Sequence, residues 1–339
     1  LNESPYGGNI YGIEEASKNF FGKNATEVNL AESAYLAALP NAPTYYSPYG
    51  RNRQALEKRK KMVLDAMLNK KFITEDDYKS AITEKVVFLP QQNTGIKAPH
   101  FVMYVRELLE TQYGNDVMAE SGYKVITTLD YTLEEKAEEI VKKYATTNAI
   151  DYNAENASIV ATDPKNGGIL VMAGSRDYFD KEIDGNFNIA TAHRQPGSSF
   201  KPFVYAKSFE KGYTPDTIVF DVPTEFSTEC NPDGTPLAPN NDEEKCYMPV
   251  NYDGLFRGPI KLKNALAESR NIPAIKVLYL VGIRDALDLA SDMGISSLGT
   301  PDQYGLTLVL GGGEVSLLEM TSAYGVFANE GVKIQPHAI

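Results

Sequence analysis

The sequence predicts a mixed α/β (α+β) chain, and three observations carry that prediction. Residues 1–88 are patterned for helices, with capping residues ahead of apolar repeats at helical spacing. Residues 157–173 hold two short apolar, β-branched runs joined by Asp163-Pro164-Lys165-Asn166-Gly167-Gly168, which reads as a β-hairpin. A helix then opens at Ser198-Ser199-Phe200-Lys201, about thirty residues on, so sheet and helix belong to one α/β domain. The expected division is a helical part over 1–88, a mixed connector over 89–150 and an α/β domain over 151–339.

A chain of 339 residues has room for two domains, and 42% hydrophobic with 23% charged residues is ordinary for globular protein. The net charge of −12 argues against a nucleic-acid surface, which needs a basic patch, so no nucleic-acid partner is expected. No apolar run approaches the roughly 20 residues of a membrane span, and no signal peptide is present. The chain opens at Leu1 rather than at methionine, and is read as a piece whose anchor or signal lies upstream.

Taken in order, the first part opens on a Gly/Asn-rich stretch and then predicts a helix over 29–39, with Asn29 as N-cap, Glu32 closing a capping box and Pro40 as the stop. A second helix over 53–68 places Met62, Val63, Ala66 and Met67 on one side and a basic cluster, Lys58, Arg59, Lys60 and Lys61, beside them. By composition alone that cluster reads as a solvated face. A third helix starts at Thr74, capped by Asp77. In the connector, Phe101, Val105, Leu108 and Gln112 mark an amphipathic helix, 123–129 an alternating strand, and Leu133, Ala137, Ile140, Val141 and Tyr144 a periodic helix.

In the α/β part, Arg194-Gln195-Pro196-Gly197-Ser198-Ser199-Phe200-Lys201-Pro202 sets a serine and a lysine three residues apart on one helical face. Pro196 and Gly197 supply the turn, Pro202 falls in the first helical turn where a missing N–H costs little, and Gly212 ends the helix. The alternative is an N-capping serine with a solvated lysine. Phe200 and Phe203 argue for partial desolvation of Lys201, which lowers an amine's pKa towards neutrality. Further on, 262–268 reads as a helix that delivers Ser269-Arg270-Asn271 at its end, with Ile272-Pro273 breaking it. Gly311-Gly312-Gly313 lacks the Lys-Ser/Thr of a phosphate loop and reads as a tight turn.

No Gly-x-Ser-x-Gly elbow surrounds Ser198, and His193 lies on the approach loop, so a Ser/His/Asp triad does not fit. Lys201 is left as the base for Ser198, with Ser269 as proton relay and Asn271 as an amide that binds a peptide-like donor. His100, His193 and His337 are too scattered for a metal site. Cys230 and Cys246 sit in one polar insertion over 227–249 and fit either a disulfide or two free thiols; only the disulfide would mark an oxidising compartment.

The run Arg-Gln-Pro-Gly-Ser-Ser-Phe-Lys-Pro-Phe, followed by Ser269-Arg270-Asn271-Ile272-Pro273-Ala274, strongly resembles the transpeptidase domain of class A penicillin-binding proteins, the bifunctional peptidoglycan synthases. The resemblance extends to 123–130 as connector, to Phe187-Asn188-Ile189-Ala190-Thr191-Ala192 as the approach to the serine, and to 310–331 as a late helix. The opening Leu1-Asn2 with Tyr6-Gly7-Gly8, and Arg59-Lys60 with Val63-Leu64 and Met67, resemble the last motifs of the family 51 glycosyltransferase domain.

The resemblance implies a lysozyme-like glycosyltransferase remnant over 1–88 and a penicillin-binding, β-lactamase-like domain, an antiparallel sheet flanked by helices, over 151–339. It implies D-Ala-D-Ala transpeptidase or carboxypeptidase activity through an acyl-enzyme on Ser198, with Lys201, Ser269 and Asn271 in the roles above and β-lactams as inhibitors. Stem peptides and a lipid-linked disaccharide are the implied partners, the latter moving Arg59, Lys60 and Asn2 towards a lipid-pyrophosphate site. No cofactor is implied for transpeptidation; a divalent metal is implied for a complete glycosyltransferase. The implied location, outside the bacterial membrane, favours the Cys230–Cys246 disulfide.

The sequence also departs from the family pattern. The glycosyltransferase glutamates would lie before Leu1, and the third transpeptidase motif, Lys-Thr/Ser-Gly, occurs nowhere; the family layout puts it beyond Ile339. Residues 1–339 alone are therefore expected to acylate slowly. Two other readings remain open: a serine β-lactamase, against which the helical first 88 residues argue, and a penicillin-sensing domain that is acylated without turnover.

Overall fold

The computed structural model describes residues 2–7, 10–90, 96–120, 122–237 and 246–339. Two compact units divide after Lys97: Leu1–Lys97 and Ala98–Ile339. The connector expected over 89–150 is divided between them: residues 89–97 belong to the first unit and 98–150 to the second.

The first unit starts with a short antiparallel pair, β1 (Pro5–Gly7) and β2 (Ile10–Tyr11), then carries α1 (Ile13–Phe21), α2 (Leu30–Ala38), α3 (Arg53–Asn69) and α4 (Glu75–Thr83). The capping boxes expected at Asn29/Glu32 and Thr74/Asp77 both form. On α3 the buried side is Leu56, Lys60 and Leu64, not the expected Met62 side, and Met62 is exposed. The reason is periodicity: residues four apart lie above one another, so a stripe through Leu56, Lys60 and Leu64 faces α2. Leu1 and Gly8 of the glycosyltransferase-like opening lie outside the described residues.

The second unit begins with α5 (Pro99–Tyr113), α6 (Asn115–Glu120) and α7 (Tyr131–Tyr152). Leu109, rather than Leu108, joins Phe101 and Val105 on the buried face of α5. The strand expected over 123–129 does not form. Tyr123, Val125 and Ile126 are exposed, and the segment bonds only where it ends, through Thr128 N–H to Ala338 O and Asp130 N–H to Leu170 O. Alternation of side chains makes a strand only where a neighbour supplies a ladder.

The hairpin expected over 157–173 forms as β3 (Ile159–Thr162) and β4 (Ile169–Ala173), paired antiparallel, with α7 packed on β4 and α12 (Leu317–Ala328) on β3. β5 (His193–Arg194) then pairs with β8 (Val315–Ser316), and a 3₁₀ turn, Gly197–Phe200, leads into α8 (Lys201–Glu210). β6 (Ile218–Asp221) and β7 (Gly258–Lys261) form a second hairpin-like pair, followed by α9 (Leu262–Ala267), α10 (Asn271–Val281) and α11 (Ile283–Asp292). The antiparallel strands thus come as two-stranded pairs flanked by helices. The largest core gathers Phe200, Phe203, Val204 and Tyr205 of the 3₁₀ turn and α8 with Ala274, Ile275, Val277 and Leu278 of α10. That burial fixes the start of α8 against the start of α10.

Pro273 does not break a helix as the sequence suggested. It is the third residue of α10, in the first turn, where no intrahelical N–H bond is lost. The 269–271 motif therefore lies at the junction between α9 and α10.

Candidate active site

The 3₁₀ turn Gly197–Phe200 presents Ser198 exposed, while Phe200 behind it is buried. Lys201, the first residue of α8, points inward and is 1% exposed. Two elements from distant sequence hold this turn in place. The Tyr324 hydroxyl on α12 donates to Ser199 O at 2.7 Å, and its ring meets Phe203 edge-on at 5.5 Å. Gly311, with φ +87°, lies so close that a Cβ there would sit 2.2 Å from Gly197 N. The glycine run is therefore more than a turn: its first residue is the backbone floor under the serine turn.

Lys201 Nζ bonds to Ser269 O at 2.6 Å, to Asn271 Oδ1 at 2.8 Å and to Ser269 Oγ at 3.2 Å. Ser198, which the spacing puts on the same helical face, is not among these partners. The Lys201 side chain runs towards the α9–α10 junction, where a backbone carbonyl and an amide oxygen outcompete a hydroxyl on its own turn. Ser269 has φ +52°, a left-handed conformation unusual for serine that aims its carbonyl at the lysine. Sequence spacing thus brings Ser198 and Lys201 onto one turn, and the fold adds Ser269 and Asn271 to the same amine.

The junction is held from below by residues that the motif reading passed over. Buried Arg270 bonds Asp221 Oδ2 at 2.9 Å, Asp253 Oδ2 at 2.8 Å and the Leu255 carbonyl. Buried Asn251 accepts the N–H of Asn271 at 2.8 Å and of Ile272 at 3.3 Å, taking two of the orphan donors at the start of α10, and donates to Asp221 Oδ1 at 2.8 Å. Asn271 Nδ2 donates to Val250 O, leaving its oxygen for Lys201. A buried Asp ending a strand and an Asn 20 residues before α10 carry no local signal; Arg270 is legible in the motif but reads there as a spacer.

Burial, and then the charge of Arg270, push the Lys201 amine down to about 8. All three of its bonding partners are uncharged acceptors, so nothing compensates the desolvation of the ammonium. At pH 7 roughly a tenth of the amine is therefore neutral. This is base character near neutrality, without a lysine already neutral at rest.

The other predicted site residues lie elsewhere. Arg59 and Lys60 are neighbours on α3, yet Lys60 is 2% exposed, with its amine over the Tyr35 ring at 4.9 Å and its pKa pushed down by burial. Arg59 Nε is buried without a partner. Asn2 is exposed on the N-terminal segment, its carbonyl beside Gly12. Cys230 and Cys246 form a disulfide with Cα atoms 5.6 Å apart, closing a loop whose residues 238–245 lie outside the described ones. Among the described residues no group of three or more His, Cys, Asp or Glu is arranged to hold a metal ion. A cleft of about 1050 Å³ between α5 and the 183–194 segment contains none of the chemistry: its walls include His100, Arg106, Phe187 and Arg194, but neither Ser198 nor Lys201. Size alone does not mark the reactive centre here.

Against known proteins, residues 1–68 match the family described as transglycosylase, and residues 157–339 match the penicillin binding protein transpeptidase domain. Penicillin-binding protein 2D of Bacillus subtilis (strain 168) is 33% identical over 99% of this chain and 46% of its own length. Penicillin-binding protein 1A of Rickettsia bellii is 27% identical over 100% of the chain and 53% of its own length. The chain thus spans about half the length of such relatives. Among solved structures, penicillin-binding protein 1A from Haemophilus influenzae superposes with a TM-score of 0.76 at 24% identity, over 100% of this chain and 62% of that one. The PonA1 protein from Mycobacterium tuberculosis, solved in complex with penicillin V, superposes over 71% of this chain and 62% of that one with a TM-score of 0.52 at 23% identity. These two likenesses concern the fold.

Proposed function

Because the chain belongs to the class A penicillin-binding proteins, with a transpeptidase domain over residues 157–339 and a transglycosylase match over 1–68, we propose that it carries the acyl-transfer centre of a peptidoglycan synthase. In this reading Ser198 attacks the carbonyl of a D-Ala-D-Ala stem peptide, Lys201 takes the hydroxyl proton, and the terminal D-Ala leaves as a free amine. An acyl-enzyme on Ser198 remains until the amine of a second stem peptide attacks it. β-Lactams acylate the same oxygen, a reading supported by the penicillin V complex of PonA1, a protein of related fold. Of the backbone N–H groups in the 3₁₀ turn, that of Ser199 goes to Pro196 O and that of Gly197 lies against Gly311, which leaves the Ser198 N–H as the donor assigned to a developing oxyanion in this reading.

The observation that carries this reading is the pairing of an exposed serine with a lysine that is buried three residues away and held by Ser269 and Asn271. The 3.2 Å contact between Lys201 Nζ and Ser269 Oγ can reverse its sense: the ammonium donates to the hydroxyl, and the neutral amine accepts from it. Ser269 can therefore pass the proton on to the leaving nitrogen. The transglycosylase match of the N-terminal part disfavours the β-lactamase alternative.

The finer parts of the reading are a lipid-linked disaccharide as substrate of the glycosyltransferase, a divalent metal for that activity, and a location on the outer face of the bacterial membrane by an anchor. Transpeptidation in this scheme needs no cofactor. No described helix is long and apolar enough to cross a membrane. The disulfide supports an oxidising compartment.

Intact mass of the full-length protein after penicillin treatment should show one adduct, absent from Ser198→Ala. Lys201→Arg keeps a positive charge that cannot be given up at working pH and should reduce acylation by at least about 100-fold while melting cooperatively. An adduct persisting in Ser198→Ala would sink the assignment, and near-normal acylation of Lys201→Arg would remove lysine as base.

A further inference from the structure

The 269–271 motif has two residues that touch Lys201 and one between them that does not. We propose, resting on the transpeptidase reading, that this middle residue, Arg270, is a positioning residue of the site. Clamped by Asp221 and Asp253, it fixes the turn that presents Ser269 and Asn271 to Lys201 and places a permanent positive charge near that amine.

Three observations carry the inference. The first is the clamp. Arg270 and Asp221 are both buried, exposed Asp253 closes the clamp from the solvent side, and the guanidinium also bonds the Leu255 carbonyl, so the side chain is held at three points. The second is the backbone it holds. Ser269 is in a left-handed conformation while its carbonyl meets Lys201 Nζ at 2.6 Å, and strained backbone of this kind persists only where neighbouring contacts over-determine it. Arg270 follows directly, and the Asn251–Asp221 bond ties the start of α10 to the same carboxylate. The third is the sign of the charge around Lys201. The groups that meet its amine are all neutral. Of the acids on α11, Asp285, Asp288 and Asp292, Asp285 is paired with Lys211 just past the far end of α8; Lys263 of α9 is paired with Asp216, and Asp221 and Asp253 are engaged by Arg270 itself. After burial, the field of Arg270 is the cause that disfavours the ammonium form of Lys201.

The arrangement assigns separate work to charge and geometry, and variants separate them. Removing the charge raises the Lys201 pKa, so the acid limb of acylation moves to higher pH. Arg270→Met alone leaves Asp221 buried and uncompensated, so it is paired with Asp221→Asn. In the full-length protein, the pH dependence of the penicillin acylation rate constant should show a limb near 8 for the wild type. In the Arg270→Met/Asp221→Asn variant, where the lost acid offsets part of the lost cation, it should still rise, by about half a pH unit, with acylation at pH 7 about threefold slower. Asp253→Asn removes only the outer half of the clamp and leaves the guanidinium's field less compensated, so its limb should move to lower pH. Arg270→Lys keeps charge but loses the fork, and should slow acylation at every pH with the limb nearly in place. A limb that stays put in both the double variant and Asp253→Asn overturns the inference, as does an Arg270→Lys variant indistinguishable from wild type. Absence of a Ser198 adduct in the wild type would instead overturn the transpeptidase reading beneath it.

Discussion

Tyr324 shows how a single hydroxyl far from the motif acts on the nucleophile. It bonds the carbonyl of Ser199 from 125 residues away, and its ring packs against Phe203 and Phe327. Tyr324→Phe keeps the packing and deletes the bond, which is ordinarily worth about 1 kcal/mol. Acylation of Ser198 is expected to slow by about fivefold while the melting temperature falls by only about 2–4 °C; a full-rate Tyr324→Phe variant would show that the turn does not depend on it. At this scale the sequence is generous with Ser198 and Lys201, because the two share a turn and their spacing is itself the signal. It is silent on Tyr324, Asp221 and Asn251, whose roles exist only once distant segments meet. It misleads on Lys60, whose membership of a basic run conceals that its helix phase points it at Tyr35.

Helix termini are the elements best written into the chain, since a cap and its partner lie three residues apart and need no tertiary contact. The box of α12, Ser316 with Glu319, follows the same rule and then goes beyond it. Glu319 also accepts from Ser296 N–H, Ser296 Oγ and Ser297 N–H, tying the segment after α11 to the start of α12. Burial opposes the charge, but these bonds outweigh it and hold the carboxyl down at about 2. A depressed carboxylate contributes stability that is complete above its ordinary value of 4.5 and is lost as pH falls towards 2. Glu319→Gln should therefore cost about 1 kcal/mol at pH 7 and markedly less at pH 2.5, read by denaturant melts at both. An equal loss at the two pH values would mean that the charge is not what the serines recognise. Strands are harder to read: 123–129 alternates as a strand should, but a ladder needs a neighbour, and which segments become neighbours is decided by the whole fold.

Across the whole molecule, the disulfide and the glycine floor set different limits. The base of the polar loop is tied without sulfur, by Phe226 N–H to Tyr247 O and by Tyr247 N–H to Glu225 Oε1. Reduction should consequently loosen the loop, at a cost of up to about 3 kcal/mol, and leave acylation of Ser198 intact. Thiol titration of the unreduced, denatured protein should find no free thiol; two would refute the pairing. The contact of Gly311 with Gly197 reaches further. Because main chain rests directly on main chain there, the height of Ser198 above its floor cannot be adjusted by a change of side chain at Gly311: any Cβ collides, and the positive φ penalises it besides. On the transpeptidase reading, that closes one mutational route under antibiotic selection. Variants that blunt β-lactam attack by reshaping this turn have to arise at its other support, Tyr324, whose bond to Ser199 O can be lost without a collision.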